Sequence, residues 1–411
     1  MSQPSSQRTP AMGFIMAAVL IDMISIGLMV PVLPHIVGTF THSNDEQTSA
    51  FLMVTMAFGI ANFIGSPVLG ALSDRFGRRP VLLIGFAGLG LSFFVTAMAT
   101  ALWMLVVVRL FSGAMQANIA IANAYVADIT PPEDRARRFG QLGAMFGIGF
   151  ILGPMIGGWL GQMDVHWPFI AAGCMAIVNW CYGFFVLPES LPLEKRSPFD
   201  WKRANPVSAL RGLAALKGVG PLVVVIALSS LAQFMLHMTW VLYTNFKFGW
   251  GPRDVAWSLS AVGVVSVLSQ GVLLKPLLAR FGPQRLALIG MASAALAFVG
   301  WGLATQGWMM YAVIAFNLLG GVAAAAVQSI ISNAAGATRQ GQAMGAVSSL
   351  NSLMAVIAPV IGLTLLGWVS HLPASNPLMG LPFYVCAALQ VAGLFLAYRF
   401  FHGQRLALQS A

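Results

Sequence analysis

Long apolar runs, each ended by a short polar break, recur along the whole 411-residue chain. An α-helix needs about 20 such residues to cross the roughly 30 Å hydrocarbon core of a bilayer. No water is present there, so backbone groups must be satisfied internally, and only helices and closed barrels can span. The runs predict twelve helices, over 11–37, 48–73, 80–99, 101–124, 137–161, 166–187, 218–243, 255–279, 283–303, 307–334, 342–369 and 378–401. Composition points the same way: 58% of residues are hydrophobic and only 8% charged, against about 25% charged in soluble domains. The expected class is an all-α membrane protein. Residues 1–10 are polar and short, and the apolar run after them is too long for a cleaved leader, so it reads as a retained first helix.

The net charge of +10 is unevenly spread. Arg75, Arg78, Arg79, Arg135, Arg137, Arg138, Lys195, Arg196, Lys202, Arg203, Arg211, Lys217, Arg280, Arg285 and Arg339 fall in the loops after even-numbered helices, whereas the opposite loops hold only Lys247 and Arg253. This positive-inside bias puts both termini in the cytoplasm, and it is a topology and lipid signal rather than a nucleic-acid footprint. The longest polar segment, 188–217, ends in apolar residues at helical spacing beside basic ones, which predicts an amphipathic surface helix over 205–217. It divides the chain into a six-helix bundle at 1–187, a cytoplasmic linker at 188–217 and a second six-helix bundle at 218–411. The halves repeat: Gly77 matches Gly282 and Pro154 matches Pro359, both at an offset of about 205 residues, as the symmetry of internally repeated transporters requires. Ala279 stands in the second copy where the first has Asp74.

Three motifs carry chemistry. The loop 70–82 packs Asp74, Arg75, Arg78 and Arg79 between Gly70, Gly77 and Pro80. The glycines permit a sharp turn, and Asp128 lies at the cytoplasmic end of helix four. The fifth helix carries Gly149, Gly153, Pro154, Gly157 and Gly158. Glycines four apart leave a smooth face for close packing, and Pro154 permits a kink. Gly147 and Gly149 mimic a dinucleotide loop, but no strand precedes them. The first helix holds Asp22, the one acidic residue deep within any predicted span. Insertion there costs roughly 2.5–3.5 kcal/mol, so the carboxylate must pair, take up a proton or line a wet cavity. Arg109 is the one basic residue comparably deep, which makes Asp22 and Arg109 the expected proton-coupling pair.

The loop 70–82 resembles the signature loop of the major facilitator superfamily, and the fifth-helix glycines resemble the antiporter signature of its drug–proton exchangers. Residues 20–34, 65–82, 109–113, 127–130, 137–140, 240–243 and 248–250 are similar to the tetracycline-efflux branch. The resemblance implies twelve spans in two pseudo-symmetric bundles, a bacterial inner-membrane location and export driven by the proton gradient. It further implies an inner gate in which Asp74 meets the end of helix eleven and Arg78 takes Asp128 of helix four as its partner. Four positions depart from that branch: Ser92 and Ala294 replace acidic residues, Gly38 a basic one and Ser266 a histidine. Losing negative charge weakens the case for a cationic metal–tetracycline chelate as cargo. Magnesium enters only with such a cargo, and no other cofactor is implied.

A midplane cavity between the halves is the expected substrate site. Gln116, Asn118, Gln233, His237, Trp240, Gln270, Asn317 and Gln328 offer polar handles there, with methionines as adaptable walls. The expected function is a monomeric proton-coupled exporter of a small amphipathic compound, tetracycline or another antibiotic among them. It is not an enzyme, and no nucleotide-hydrolysis motif supports an ATP-driven pump. The sequence leaves open a metabolite or siderophore exporter, an uptake carrier, a non-transporting sensor and a lipid flippase. The fifth-helix glycines argue against uptake.

Overall fold

The structure, a computed structural model, describes residues 12–131, 134–198, 220–323, 326–327, 330 and 340–409. Among them every regular element is helical. The first is α1, Met12–Met29, followed by the short α2, Leu33–Gly38. Pro31 lacks an N–H and cannot continue α1. The chain tightens instead, Val30 N donating to Gly27 O at 3.2 Å and Val32 N to Met29 O at 3.1 Å. α3, Asn44–Phe76, opens with Asp45 and Glu46 at its positive end. It stops at Gly77, whose φ of 105° suits glycine, and α4, Arg78–Ala97, begins at the next residue.

α5, Leu102–Met115, and α6, Asn118–Ile129, are one span broken at Gln116 and Ala117. α7, Arg135–Met163, and α8, Trp167–Phe185, follow. Then come α9, Gly220–Phe248, and α10, Pro252–Val267. A π-helical turn at Leu268–Leu273 leads into α11, Leu274–Leu303. α11 is interrupted at Gly282, where φ is 71°. α12, Gly307–Phe316, ends in a 3₁₀ turn at Asn317–Leu319. α13, Gln340–Val369, and α14, Leu381–Gln409, complete the order.

Ten helical stretches among the described residues are long and apolar enough to cross a membrane, and Gly307–Ala323 is a shorter apolar helix. Twelve were expected. The expected helices 255–279 and 283–303 lie within one 52-residue stretch, Pro252–Leu303, and 307–334 runs partly outside the described residues. The expected amphipathic helix at 205–217 also lies outside them.

The chain divides into two compact units. One comprises 1–40, 53–206 and 252–260; the other comprises 41–52, 207–251 and 261–411. The first is centred on Ile15, Ala18 and Val19 of α1 with Leu82, Phe86, Ile121 and Tyr125. The second gathers Leu222 and Val225 of α9 around Met291, Met354 and Phe401. Outside these cores Ile64, Leu91, Trp103, Leu296 and Phe316 are exposed. Large exposed apolar side chains of this number fit contact with lipid.

Candidate functional site

The interruption of the fourth predicted span builds the site. At Gln116 and Ala117 the backbone leaves helical geometry. Such a break frees carbonyls at the end of α5 and amides at the start of α6. Asn62 of α3 satisfies the carbonyls, its Nδ2 donating to Gln116 O at 2.6 Å and Gly113 O at 3.4 Å. Gly65 and Gly113 let α3 and α5 approach closely enough: a Cβ on Gly65 would lie 2.7 Å from Ala114 Cα.

Asn118, the first residue of α6, turns toward α1. Its Nδ2 donates to both oxygens of Asp22, at 3.1 and 3.3 Å, and both residues are buried. Its Oδ1 is buried without a partner among the described residues. That oxygen lies over Gly85, where a Cβ would fall on it. Asp22 and Asn118 share the wall of a small cavity, with room for about one water molecule, with Val19, Leu82, Phe86 and Phe146. Drug-sized ligands occupy roughly 300–1,000 Å³, so this space suits a proton site better than a drug site.

The expected Asp22–Arg109 ion pair is not formed. Among the described residues no salt bridge joins them. Asn118 occupies both carboxylate oxygens, and Arg109 instead directs Nη2 at the thioether of Met29. Seven residues of α1 separate Asp22 from Met29, about 10 Å along the axis.

In the charged loop the three arginines do three different things. Arg78 is buried; Nη1 reaches Asp74 Oδ1 at 2.5 Å and Ser73 Oγ at 2.7 Å, and Nε reaches Asp128 Oδ2 at 3.1 Å. Arg79 donates to the last carbonyls of α8, Gly183 O at 3.3 Å and Phe184 O. Cations at a helix C-terminus are favoured by its partial negative charge. Arg75 lies over the ring of Phe76 at 5.0 Å. The described partner of Asp74 is Arg78. Gly70 has open space beside it.

Glu189 escaped the sequence reading. Its carboxylate accepts from Arg78 N at 2.9 Å and Arg79 N at 3.2 Å, the first amides of α4. It also accepts from Ser190 N at 2.9 Å and Leu191 N at 3.0 Å. Gly77 admits it, since a Cβ there would collide with the carboxylate. The signal was present: α4 starts directly after a glycine with no polar side chain to cap it, and a lone Glu follows Pro188 at the end of a span. Replacing Glu189 with Gln is expected to cost about 1–3 kcal/mol in charge-assisted hydrogen bonding, read as a lower melting temperature of the purified protein. Unchanged melting in both Glu189→Gln and Glu189→Ala would remove this cap from the account.

The α7 glycines lie along α1. A Cβ on Gly153 would come within 2.6 Å of Gly27 Cα, while Gly149 meets Met23 and Gly157 meets Leu28. The ring of Pro154 faces Gly27. Gly158 faces Pro252 and Ala256 instead.

The other expected substrate residues scatter. Gln233 and His237 are exposed and adjacent on α9, with ring and amide nitrogens 3.5 Å apart. Trp240 is buried, edge-on to Trp301 at 5.5 Å and Phe383 at 6.3 Å, so it serves the core of its unit. Gln270 sits exposed on the π-helical turn. Asn317 accepts from Ser293 Oγ at 3.3 Å beside the break after α12. Gln328 lies outside the described residues. Ser92 donates to Leu89 O within its own helix.

Residues 15–359 and 222–407 match the family model described as the Major Facilitator Superfamily. The chain belongs to the major facilitator superfamily. As a superfamily member it is a multi-pass membrane protein and a secondary transporter of a small molecule, not an enzyme. It is related to tetracycline-resistance proteins. The class C protein of Escherichia coli is 36% identical over 347 residues, covering 84% of this chain and 87% of that relative. The class G protein of Vibrio anguillarum is 34% identical, covering 88% and 94%. Among solved structures, the nucleoside transporter NupG superposes with a TM-score of 0.75 over 95% of this chain and 98% of that one. At 13% identity that likeness concerns the fold alone. No cluster of three or more His, Cys, Asp or Glu among the described residues is placed to hold a metal.

Proposed function

We propose that this transporter is a proton-coupled exporter of a small amphipathic compound, working in the bacterial inner membrane as a monomer with both termini in the cytoplasm. The observation that carries the reading is the carboxylate of Asp22, buried with an amide rather than a cation for a partner, on an apolar cavity beside a broken helix. Such a group is placed to gain and lose a proton. When ionised it accepts from Asn118 Nδ2. When protonated it becomes a donor, and a half-turn of the Asn118 amide brings the unpartnered Oδ1 to receive it. Proton binding at Asp22 thereby alters the hold on the break between α5 and α6. Arg109 is the second coupling residue.

The reading includes twelve spans in two six-helix bundles. Pro252–Leu303 would be about 78 Å long at 1.5 Å per residue, far more than the roughly 30 Å it must cross. It therefore passes twice, turning at Gly282, and the helix from Gly307 supplies the remaining span. The domain limits 1–187, 188–217 and 218–411 belong to the same proposal. Arg78, with Asp74 and Asp128, acts as an inner latch whose loss slows turnover and leaves compound choice intact. The α7 glycines give the α1 contact its close fit.

The names of the relatives make tetracycline one candidate cargo, whereas Ser92 and Ala294 remove charges that would suit a cationic chelate. The test is efflux from proteoliposomes. An imposed pH gradient should accelerate export of a fluorescent amphipathic compound, and export indifferent to the gradient for every compound tried would exclude proton coupling.

A further inference from the structure

Arg109 is a buried cation whose partner is missing. Its side chain lies on the inward face of α5 with Leu105, Val108, Ser112 and Gly113. A guanidinium offers five donors suited to planar oxygen acceptors. Its one hydrogen-bond partner among the described residues is the thioether of Met29, a weak acceptor. A buried charge left unpaired is strongly unfavourable, so such groups are normally matched by a carboxylate or another anion.

Among the described residues no ion pair with Arg109 is formed. α1 carries only Asp22, which Asn118 occupies, and α5 carries no other charge. The charges of α3 lie at its two ends, Asp45 and Glu46 in the first turn and Asp74 and Arg75 in the last. Those of α4, Arg78 and Arg79, lie in its first turn. Met29 is the last residue of α1, immediately before the break at Pro31. It is an unbranched and adaptable side chain at a helix end, which can withdraw and free the guanidinium without repacking a helix.

We infer that the exported compound is an amphipathic organic acid, whose carboxylate or equivalent acidic oxygen takes Arg109 as its partner. The inference rests on the export reading and names its substrate class. Deep within the spans a cationic compound would meet only Asp22, already engaged, since Ser92 and Ala294 carry no charge. For an acid they offer a cation with unused donors.

The test uses three matched probes: 1-naphthaleneacetate, its neutral amide, and the cationic 1-(1-naphthyl)ethylamine. Binding to the full-length protein in lipid nanodiscs is followed by tryptophan quenching and by thermal shift. The acid should bind at least tenfold more tightly than the amide or the amine. Arg109→Gln should erase that preference, and Arg109→Lys, which keeps the charge, should retain part of it. Equal binding of all three probes, preference for the amine, or no acid binding at millimolar concentration would overturn the inference. So would acid binding unaffected by Arg109→Gln. Efflux from proteoliposomes separates the two claims. Acid that binds at Arg109 but never responds to a pH gradient defeats the export reading and leaves the acid site standing. Gradient-driven export of the amine but not the acid does the reverse.

Discussion

Replacing Asp22 with Asn will leave a folded protein whose export no longer responds to a pH gradient. Asparagine has nearly the size of aspartate, and its Oδ1 can still accept from Asn118 Nδ2, now 3.1 Å from an Asp22 oxygen. Its new amide can donate to the Asn118 Oδ1 that lacks a partner among the described residues. Exchanging a charge-assisted hydrogen bond for neutral ones changes stability by only about 1–2 kcal/mol. What disappears is the titratable group. Gradient-driven export should fall to the level of protein-free vesicles, while exchange of labelled for unlabelled compound, which needs no net proton movement, should persist. Gradient-driven export at the wild-type rate would place the proton elsewhere.

The second large effect concerns α1 and α7, which pack together more extensively than any other described pair. Gly153→Leu puts a branched side chain where even a Cβ would lie 2.6 Å from Gly27 Cα and 2.9 Å from Ile24 O. These are backbone atoms in the middle of a helix, so no side chain can turn aside to make room. Overpacking costs about 1–3 kcal/mol in ordinary cores and more where the neighbours cannot move. The expected outcome is a large drop in melting temperature with loss of transport. Gly147 supplies the control. It lies in the same helix with nothing within 4 Å of an added Cβ, so Gly147→Ala should shift stability by no more than about 0.5 kcal/mol. Equal damage from both substitutions would show that helix flexibility, not the close contact, is what these glycines provide.

The contrast between Gly153 and Gly147 shows where sequence reading reaches its limit. Both belong to one glycine-rich helix, and only the partner helix shows that Gly153 meets backbone while no described atom lies within 4 Å of a Cβ on Gly147. Apolar run length placed most helices because a bilayer imposes one dimension on every span. It missed the break at Gln116 and Ala117, since nothing in the local sequence forbids a continuous helix there. That break is supported from α3 by Asn62, a polar residue in an apolar span, and this was the available clue. Pairing Asp22 with Arg109 assumed that the two deepest charges must meet. The structure gives the carboxylate an amide and leaves the cation beside a thioether. Trp240 read as a polar handle of the cavity, whereas its buried ring packs edge-on against Trp301 and Phe383. Glu189 was hidden by distance, more than 100 residues from the helix start it caps.

The most direct test of the central claim records proton movement itself. Proteoliposomes containing wild-type protein or Asp22→Asn carry a pH-sensitive dye, and a gradient of an exported compound is imposed without a pH gradient. The wild-type protein should drive protons opposite to the compound, and Asp22→Asn should drive none while still exchanging the compound. Proton movement of equal size in both proteins would contradict the assignment of proton coupling to Asp22.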